Sequence, residues 1–211
     1  MKNIIVTIDG PAASGKEHIA KYISKKYSLK HLDSGILYRK IAHLLLKKKI
    51  KLDNLIAFRK VINNIPGITY RKSRYLRSEK ISKMASKIAI FKFVRDYVNK
   101  TQRDFVKNNK IHKGFVIDGR DIGSVVFRNA DLKLYIEVNE QNRAQRRYKQ
   151  LIDSGEKSIY LQILKDIKLR DKKDKNRKHS PLVIPKGAHV INNNFSFKNT
   201  KKQIDHLLNK L

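Results

Sequence analysis

In Ile4-Ile5-Val6-Thr7-Ile8-Asp9-Gly10-Pro11-Ala12-Ala13-Ser14-Gly15-Lys16, a short apolar run leads directly into a turn of small residues and a lysine. From Ile19 to Tyr27 apolar residues recur at helical spacing, with lysines on the outer face. A buried strand that turns at once into a helix points to an α/β fold. The spacing Gly10-x-x-x-x-Gly15-Lys16 fits a phosphate loop. In such a loop successive backbone N–H groups cradle phosphate oxygens and the lysine reaches the outer phosphates. Small residues let the backbone approach closely, and the helix N-terminus adds partial positive charge. The bland alternative is an ordinary tight strand-to-helix turn. The motif also ends irregularly: a Ser or Thr hydroxyl usually follows the lysine and meets Mg²⁺, whereas here Glu17 and His18 follow.

At 211 residues, the chain has room for one α/β domain with small insertions. It contains no cysteine, which excludes disulfides and thiolate metal sites and fits a reducing compartment. Its first residues enter a core strand, leaving no room for a signal peptide, and no apolar run approaches the ~20 residues of a membrane span. A soluble, cytoplasmic, monomeric protein without membrane contacts is expected. The net charge of +31 suggests either a nucleic-acid partner or a lysine-rich drift spread over solvated faces; drift is preferred. Only 14 of the 49 cationic residues are arginine. Their positions are informative, because only arginine offers phosphate a planar bidentate fork.

Along the chain, Leu29–Asp33 reads as a short strand running into a turn, then a helix through Leu46 that carries Arg39 near its open end. Asp33 or Ser34 would cap it. Asp53–Asn63 reads as a helix closed by Ile65-Pro66-Gly67. Tyr70–Arg77 is basic with interleaved tyrosines, which suits either RNA or, preferably, a solvated connector. Ser78–Lys107 reads as two helices meeting near Phe91, with Ser86 and Arg95 on them. Gly114–Asp118 is a buried strand whose end, Asp118-Gly119-Arg120-Asp121, crowds three charges beside an apolar run. An acidic residue at such a strand end holds Mg²⁺ directly or through water in phosphate-loop enzymes. Leu132–Val138 is a further strand, and Glu140–Ser154 a helix in which Arg146 and Arg147 follow Arg143 by three and four residues, on one face. Lys157–Leu169 is expected to be helical and to lead into the charged run Arg170–Arg177. A short strand at His189–Ile191 and a helix over Lys198–Leu211 close the chain. Alternating strands and helices predict a parallel sheet covered by helices on both faces.

The stretches IDGPAASGK, HLDSGILYR, ASKIAIFKFVR, DGRDIGSVVF, RAQRRY and RDKKDKNRKHSPL together resemble the bacterial cytidylate kinases, members of the nucleoside monophosphate kinases. The resemblance covers nearly the whole chain. It implies a phosphate-loop kinase that transfers a phosphoryl group from ATP to CMP or dCMP with Mg²⁺. Within one domain spanning 1–211 it implies a core at 1–38, 108–150 and 180–211, a small helical acceptor-binding insert at about 39–107, and a short lid at about 151–179. On matching positions, Gly10, Pro11, Ala12, Ala13, Ser14, Gly15, Lys16, Glu17 and His18 would line the ATP phosphates. Arg39, Arg120 and Arg177 would hold the acceptor phosphate. Ser86, Arg95 and Asp121 would read cytosine, and Ser34, Arg170 and Asp174 would complete the CMP site. Arg143 and Arg147 would come down with the lid, and Asp118 would orient Mg²⁺ or its waters. Lys16, Arg120, Asp121, Arg143, Arg147 and Arg177 are thus the candidate catalytic set. Phosphoryl transfer is largely positioning and charge stabilisation, which a ring of arginines supplies. A carboxylate such as Asp121 suits the exocyclic amine of cytosine.

Two departures stand out. Where the family has Gly or Ser and then Thr after the lysine, this chain has Glu17-His18. Glu17 would be a metal ligand, would point outward, or would weaken the ATP site; in the last case a kinase-like nucleotide- or RNA-binding protein is the alternative function. The stretch between Asn63 and Ser78 is also short, so a mainly helical insert is expected.

Overall fold

The structure is a computed structural model that describes residues 3–65 and 74–210. Five strands form one sheet in the order β2-β3-β1-β4-β5: β1 Ile4–Asp9, β2 Lys30–Asp33, β3 Gly114–Asp118, β4 Leu132–Glu137 and β5 His189–Asn192. β1 lies parallel to β3, with Ile8 opposite Asp118, and parallel to β4, with Asp9 opposite Tyr135. β4 is parallel to β5. The central strands are near-continuous apolar runs, as expected of a parallel sheet buried on both faces.

The described residues fall into two compact units, one of residues up to His31 and from His112 onward, the other Leu32–Ile111. In the first, α1 (Lys16–Tyr27) and α8 (Phe197–Leu208) pack one face of the sheet. Ile19, Ala20, Ile23, Ile204 and Leu208 meet Val6, Ile8, Val116, Leu134 and Ile136 there. α6 (Glu140–Asp153) and α7 (Tyr160–Asn176) pair through Ala144, Leu151, Ile163 and Ile167. Side chains cap two of these helices: Asn139 accepts from the Asn142 N–H at the start of α6, and Ser196 from the Asn199 N–H at the start of α8.

The second unit is helical: α2 (Ser34–Lys47), α3 (Leu55–Asn63), a 3₁₀ turn at Arg74–Arg77, α4 (Glu79–Ile88) and α5 (Lys92–Asn108). Its core is built on Ile36, Leu37, Ile41, Leu45, Ile81, Ile88, Val94 and Val98 around Phe58. Phe58 is fully buried and meets the edges of Phe91 and Phe93. Truncating such a ring costs about 3–5 kcal/mol.

The structure corrects several boundaries. β2 passes straight into α2 with no intervening turn, and Asp33 occupies the N-cap position without a capping hydrogen bond. α3 begins at Leu55, because Asn54 accepts from the Ala57 N–H and caps it there. α7 begins at Tyr160 and continues through the charged run to Asn176, since Asp171 and Asp174 find arginine partners in the tertiary structure. α8 runs over Phe197–Leu208. A π-helical turn at Ile122–Val126, absent from the sequence reading, follows β3. Pro66, Gly67 and the first half, 70–73, of the basic stretch Tyr70–Arg77 lie outside the described residues.

Candidate active site

In the turn after β1, Gly10 at φ 149°, Ala13 at φ 55° and Gly15 at φ 87° all have positive φ, backbone of the kind from which anion-binding concavities are made. A Cβ on Gly10 would lie 2.6 Å from the Ile136 carbonyl, so only glycine lets the loop leave β1 beside β4. Side chains tie down the loop's carbonyls. Lys16 Nζ donates to the Pro11 carbonyl at 2.5 Å and to Ser14 Oγ at 2.9 Å. Arg143 Nη1 donates to the Ala12 carbonyl at 3.2 Å, and Asn193 Nδ2 to the Ser14 carbonyl at 2.9 Å. Burial, then the nearby charge of Arg120, pushes the Lys16 ammonium well below its ordinary value, against the pull of Asp118 and Asp9.

Asp9, fully buried at the end of β1, accepts from the N–H groups of Ile122 and Gly123 at 2.8 and 2.7 Å. These bonds bind the π-helical turn to the strand that launches the loop. Burial raises the Asp9 carboxyl to about 6, although both N–H bonds favour its charged form. Asp118, at the end of β3, receives His31 Nε2 at 2.6 Å, with both side chains at most one-tenth exposed.

Three arginines of this unit, Arg120, Arg143 and Arg177, are already held by carboxylates. Arg120 Nε donates to Asp174 at 3.2 Å, and Arg177 reaches Asp174 at 3.5 Å and Asp121 at 3.8 Å. Burial of Asp174 favours its neutral form, but Arg120, Arg170 and Arg177 outweigh this and hold its carboxyl below the usual range. Arg143 pairs with Asp171 at 2.6 Å and donates to the Val138 carbonyl. Arg147 lies outside this cluster, on Gln150 at 3.0 Å. Lys16 and four arginines thus stand among Asp9, Asp118, Asp121, Asp171 and Asp174. An incoming phosphate would displace carboxylates from preplaced guanidinium groups rather than order free side chains.

Glu17 forms an i,i+4 ion pair with Lys21 at 3.0 Å, and the ring of His18 packs edgewise on Phe197 at 4.2 Å. In the helical unit, Ser34 is buried at the start of α2 and Arg39 stands 3.9 Å from Asp33. Ser86 is half-buried on α4. Arg95, 2% exposed, donates to the Ala89 carbonyl and lies over the Tyr38 ring. Asn99 and Gln102 continue its buried face at four and seven residues onward. Asp9, His31, Asp171 and Asn193 are absent from the motif-based set. Asp9 was legible only as a strand end, and Asn193 only as one of three consecutive asparagines.

Comparison with known proteins adds a family. The sequence model of the cytidylate kinases matches residues 6–210. The chain belongs to the cytidylate kinase family. It is 40% identical over 194 residues to the cytidylate kinase of Bartonella quintana, covering 90% of this chain and 87% of that one. Against those of Rickettsia akari and Fusobacterium nucleatum it is 42% identical over 190 residues and 40% over 191. These matches cover 90% and 86% of this chain, and 84% and 86% of the relatives. Among solved structures, a Thermus thermophilus protein matches with a TM-score of 0.53 at 14% identity, covering 100% of this chain and 99% of its own. The shikimate kinase of Bacteroides thetaiotaomicron gives 0.50 at 9%, covering 99% of both chains. At such identities the likeness concerns the fold alone, an α/β kinase fold. Glu17 and His18, which follow the loop lysine, are engaged by Lys21 and Phe197.

Proposed function

We propose that this cytidylate kinase family member transfers the γ-phosphoryl of ATP to CMP and dCMP. The observation that carries the reading is the buried cluster in which Lys16 shares its electrostatic surroundings with Arg120, Arg170, Asp9 and Asp118. It lies beside a loop whose Pro11, Ala12 and Ser14 carbonyls are all engaged by side chains. Phosphoryl transfer asks a protein for little beyond such positioning and charge.

In this reading the loop from Gly10 to Gly15, with Lys16 and the first turn of α1, receives the ATP phosphates. Arg120 and Arg177 serve the acceptor phosphate, Asp121 the cytosine amine, and Arg170 and Asp174 the ribose. Within the helical unit, Ser34, Arg39, Ser86 and Arg95 are the residues assigned to CMP. The unit Leu32–Ile111 would then contain the acceptor-binding insert, and 151–179 the lid carrying the far end of α7. Arg143 and Arg147 act from α6.

Among the described residues no group of three or more histidines and acids is arranged to hold a metal. Asp118, a buried carboxylate at the end of β3, would orient the waters of Mg²⁺ arriving with the nucleotide. When bound, Mg²⁺ neutralises charge developing on the transferred group. Glu17, paired with Lys21, is not assigned to the metal.

The test is ADP release with ATP, Mg²⁺ and each of CMP, dCMP, UMP and AMP. Turnover with CMP and dCMP well above UMP and AMP is expected. Asp121→Asn should narrow the gap between CMP and UMP. A folded, ATP-binding preparation without CMP-dependent ADP release would overturn the reading.

A further inference from the structure

Asn193 has no role in the scheme above, yet four bonds converge on it. Its Nδ2 donates to the Ser14 carbonyl at 2.9 Å, and its Oδ1 accepts from Thr200 Oγ1 at 2.7 Å. Its backbone carbonyl accepts from Arg146 Nη2 at 2.7 Å, and its own N–H donates to the Glu137 carbonyl at 3.0 Å. Asn193 is 5% exposed and Thr200 fully buried. The turn after β5, the first turn of α8, α6 and the phosphate loop therefore meet at one amide.

The bond to Ser14 decides the orientation of a peptide plane. A trans peptide directs its C=O and N–H oppositely, so a Ser14 carbonyl drawn towards Asn193 turns the Gly15 N–H the other way, into the loop. That N–H belongs to the row of donors from which a phosphate cradle is made. Gly15, at φ 87°, imposes little steric preference of its own, so the plane needs an outside anchor. The approach is close: a Cβ on Gly15 would lie 2.7 Å from Asn193 Nδ2. Thr200 completes the device, because its hydroxyl occupies Oδ1 and leaves the amide's donor end facing the loop.

We infer that Asn193 is a positioning residue for the donor triphosphate, holding the Ser14–Gly15 peptide so that its N–H is aimed before the phosphate arrives. The inference rests on the proposed role of the loop in binding ATP. Its cost, if lost, falls on phosphate affinity and not on the acceptor.

The experiment measures equilibrium binding of ATP and of inorganic tripolyphosphate, KM for ATP and CMP, and thermal midpoint. The variants are Asn193→Asp, Asn193→Ala and Thr200→Val. Asn193→Asp is near-isosteric and keeps an acceptor for Thr200, but it replaces the donor with a carboxylate oxygen and adds a negative charge, so the neutral Asn193→Ala is read beside it. Both should weaken ATP and tripolyphosphate about ten-fold, as expected for one buried hydrogen bond, with the CMP KM within about two-fold of wild type. Thr200→Val should lose about three-fold, by freeing the amide without removing it. If the Asn193 variants do not fold, Thr200→Val carries the test alone. An Asp variant that binds both ligands like wild type overturns the inference. So does an equal rise in both KM values with a lowered midpoint, the mark of a merely structural residue, and so does a wild-type protein that binds neither ligand. A wild type lacking CMP turnover, with tripolyphosphate binding still sensitive to Asn193→Asp, would sink the kinase reading and leave this inference standing.

Discussion

Arg143 and Asp171 meet at 2.6 Å with their side chains 3% and 7% exposed, joining α6 to α7. The same guanidinium holds the carbonyls of Ala12 and Val138, so the phosphate loop and the end of β4 depend on one buried charge. Removing one member strands the other. Arg143→Ala should therefore lower the unfolding free energy by about 3–5 kcal/mol in urea denaturation, whereas Arg143→Leu combined with Asp171→Leu should lose much less. Equal losses in the single and double variants would show that desolvation of a stranded carboxylate is not the cause.

Glu17 is tethered to Lys21, one turn on along α1. Such a pair adds little to stability, and Glu17 is about one-quarter exposed, but it governs where the carboxylate stands relative to incoming phosphates. Lys21→Ala should raise the ATP KM about two- to five-fold at low salt, and the added change Glu17→Ala should restore it. A Lys21→Ala effect that survives both Glu17→Ala and high salt would contradict this account.

Asp9 supplies a pH dependence. Its carboxyl is raised to about 6 in the folded protein, above the 3.8 of an unhindered aspartate, so the folded state binds the proton more tightly. The stabilisation is fully present below about 3.8, is lost as pH rises through 6, and changes no further above it. Measured against Asp9→Asn, which lacks this titration, wild-type stability should fall by about 2 kcal/mol between pH 4 and 6.5. A flat difference across that window would mean that the carboxyl titrates normally.

Lys16 carries the opposite consequence for binding. A triphosphate placed against an ammonium whose affinity for its proton is reduced by burial must raise that affinity. At a pH where Lys16 is partly deprotonated in the free protein, ATP binding should therefore take up protons, seen as a calorimetric enthalpy that varies with the buffer's heat of ionisation. Lys16→Met should abolish the uptake and lower kcat about 100- to 1,000-fold. Unchanged buffer dependence in Lys16→Met would assign the proton elsewhere.

Much of the fold was readable from local sequence. β1, the glycine-spaced loop and α1 follow one another within 24 residues, and each is specified by near neighbours. The same holds for α4 and α5, broken near Phe91, and for the apolar strands β3 and β4. The charged run of α7 was not readable in this way. Arg170–Asn176 resembles a solvated segment until Asp174 meets Arg120, 54 residues away in sequence, and Asp171 meets Arg143. The π-helical turn likewise depends on Asp9, 113 residues before the first N–H it receives.

The sequence by itself determined the strand–loop–helix nucleus, the sheet-and-helix class and the family, because spacing, periodicity and motif order are properties of the chain alone. Only the tertiary structure decided which carboxylate holds which arginine, that Glu17 is drawn to Lys21, and that Asn193 of three adjacent asparagines braces the loop from 179 residues away. Such choices are made by burial and by partners distant in sequence. No local pattern records them, because a buried polar group settles its bonding against whatever the folded chain brings within reach.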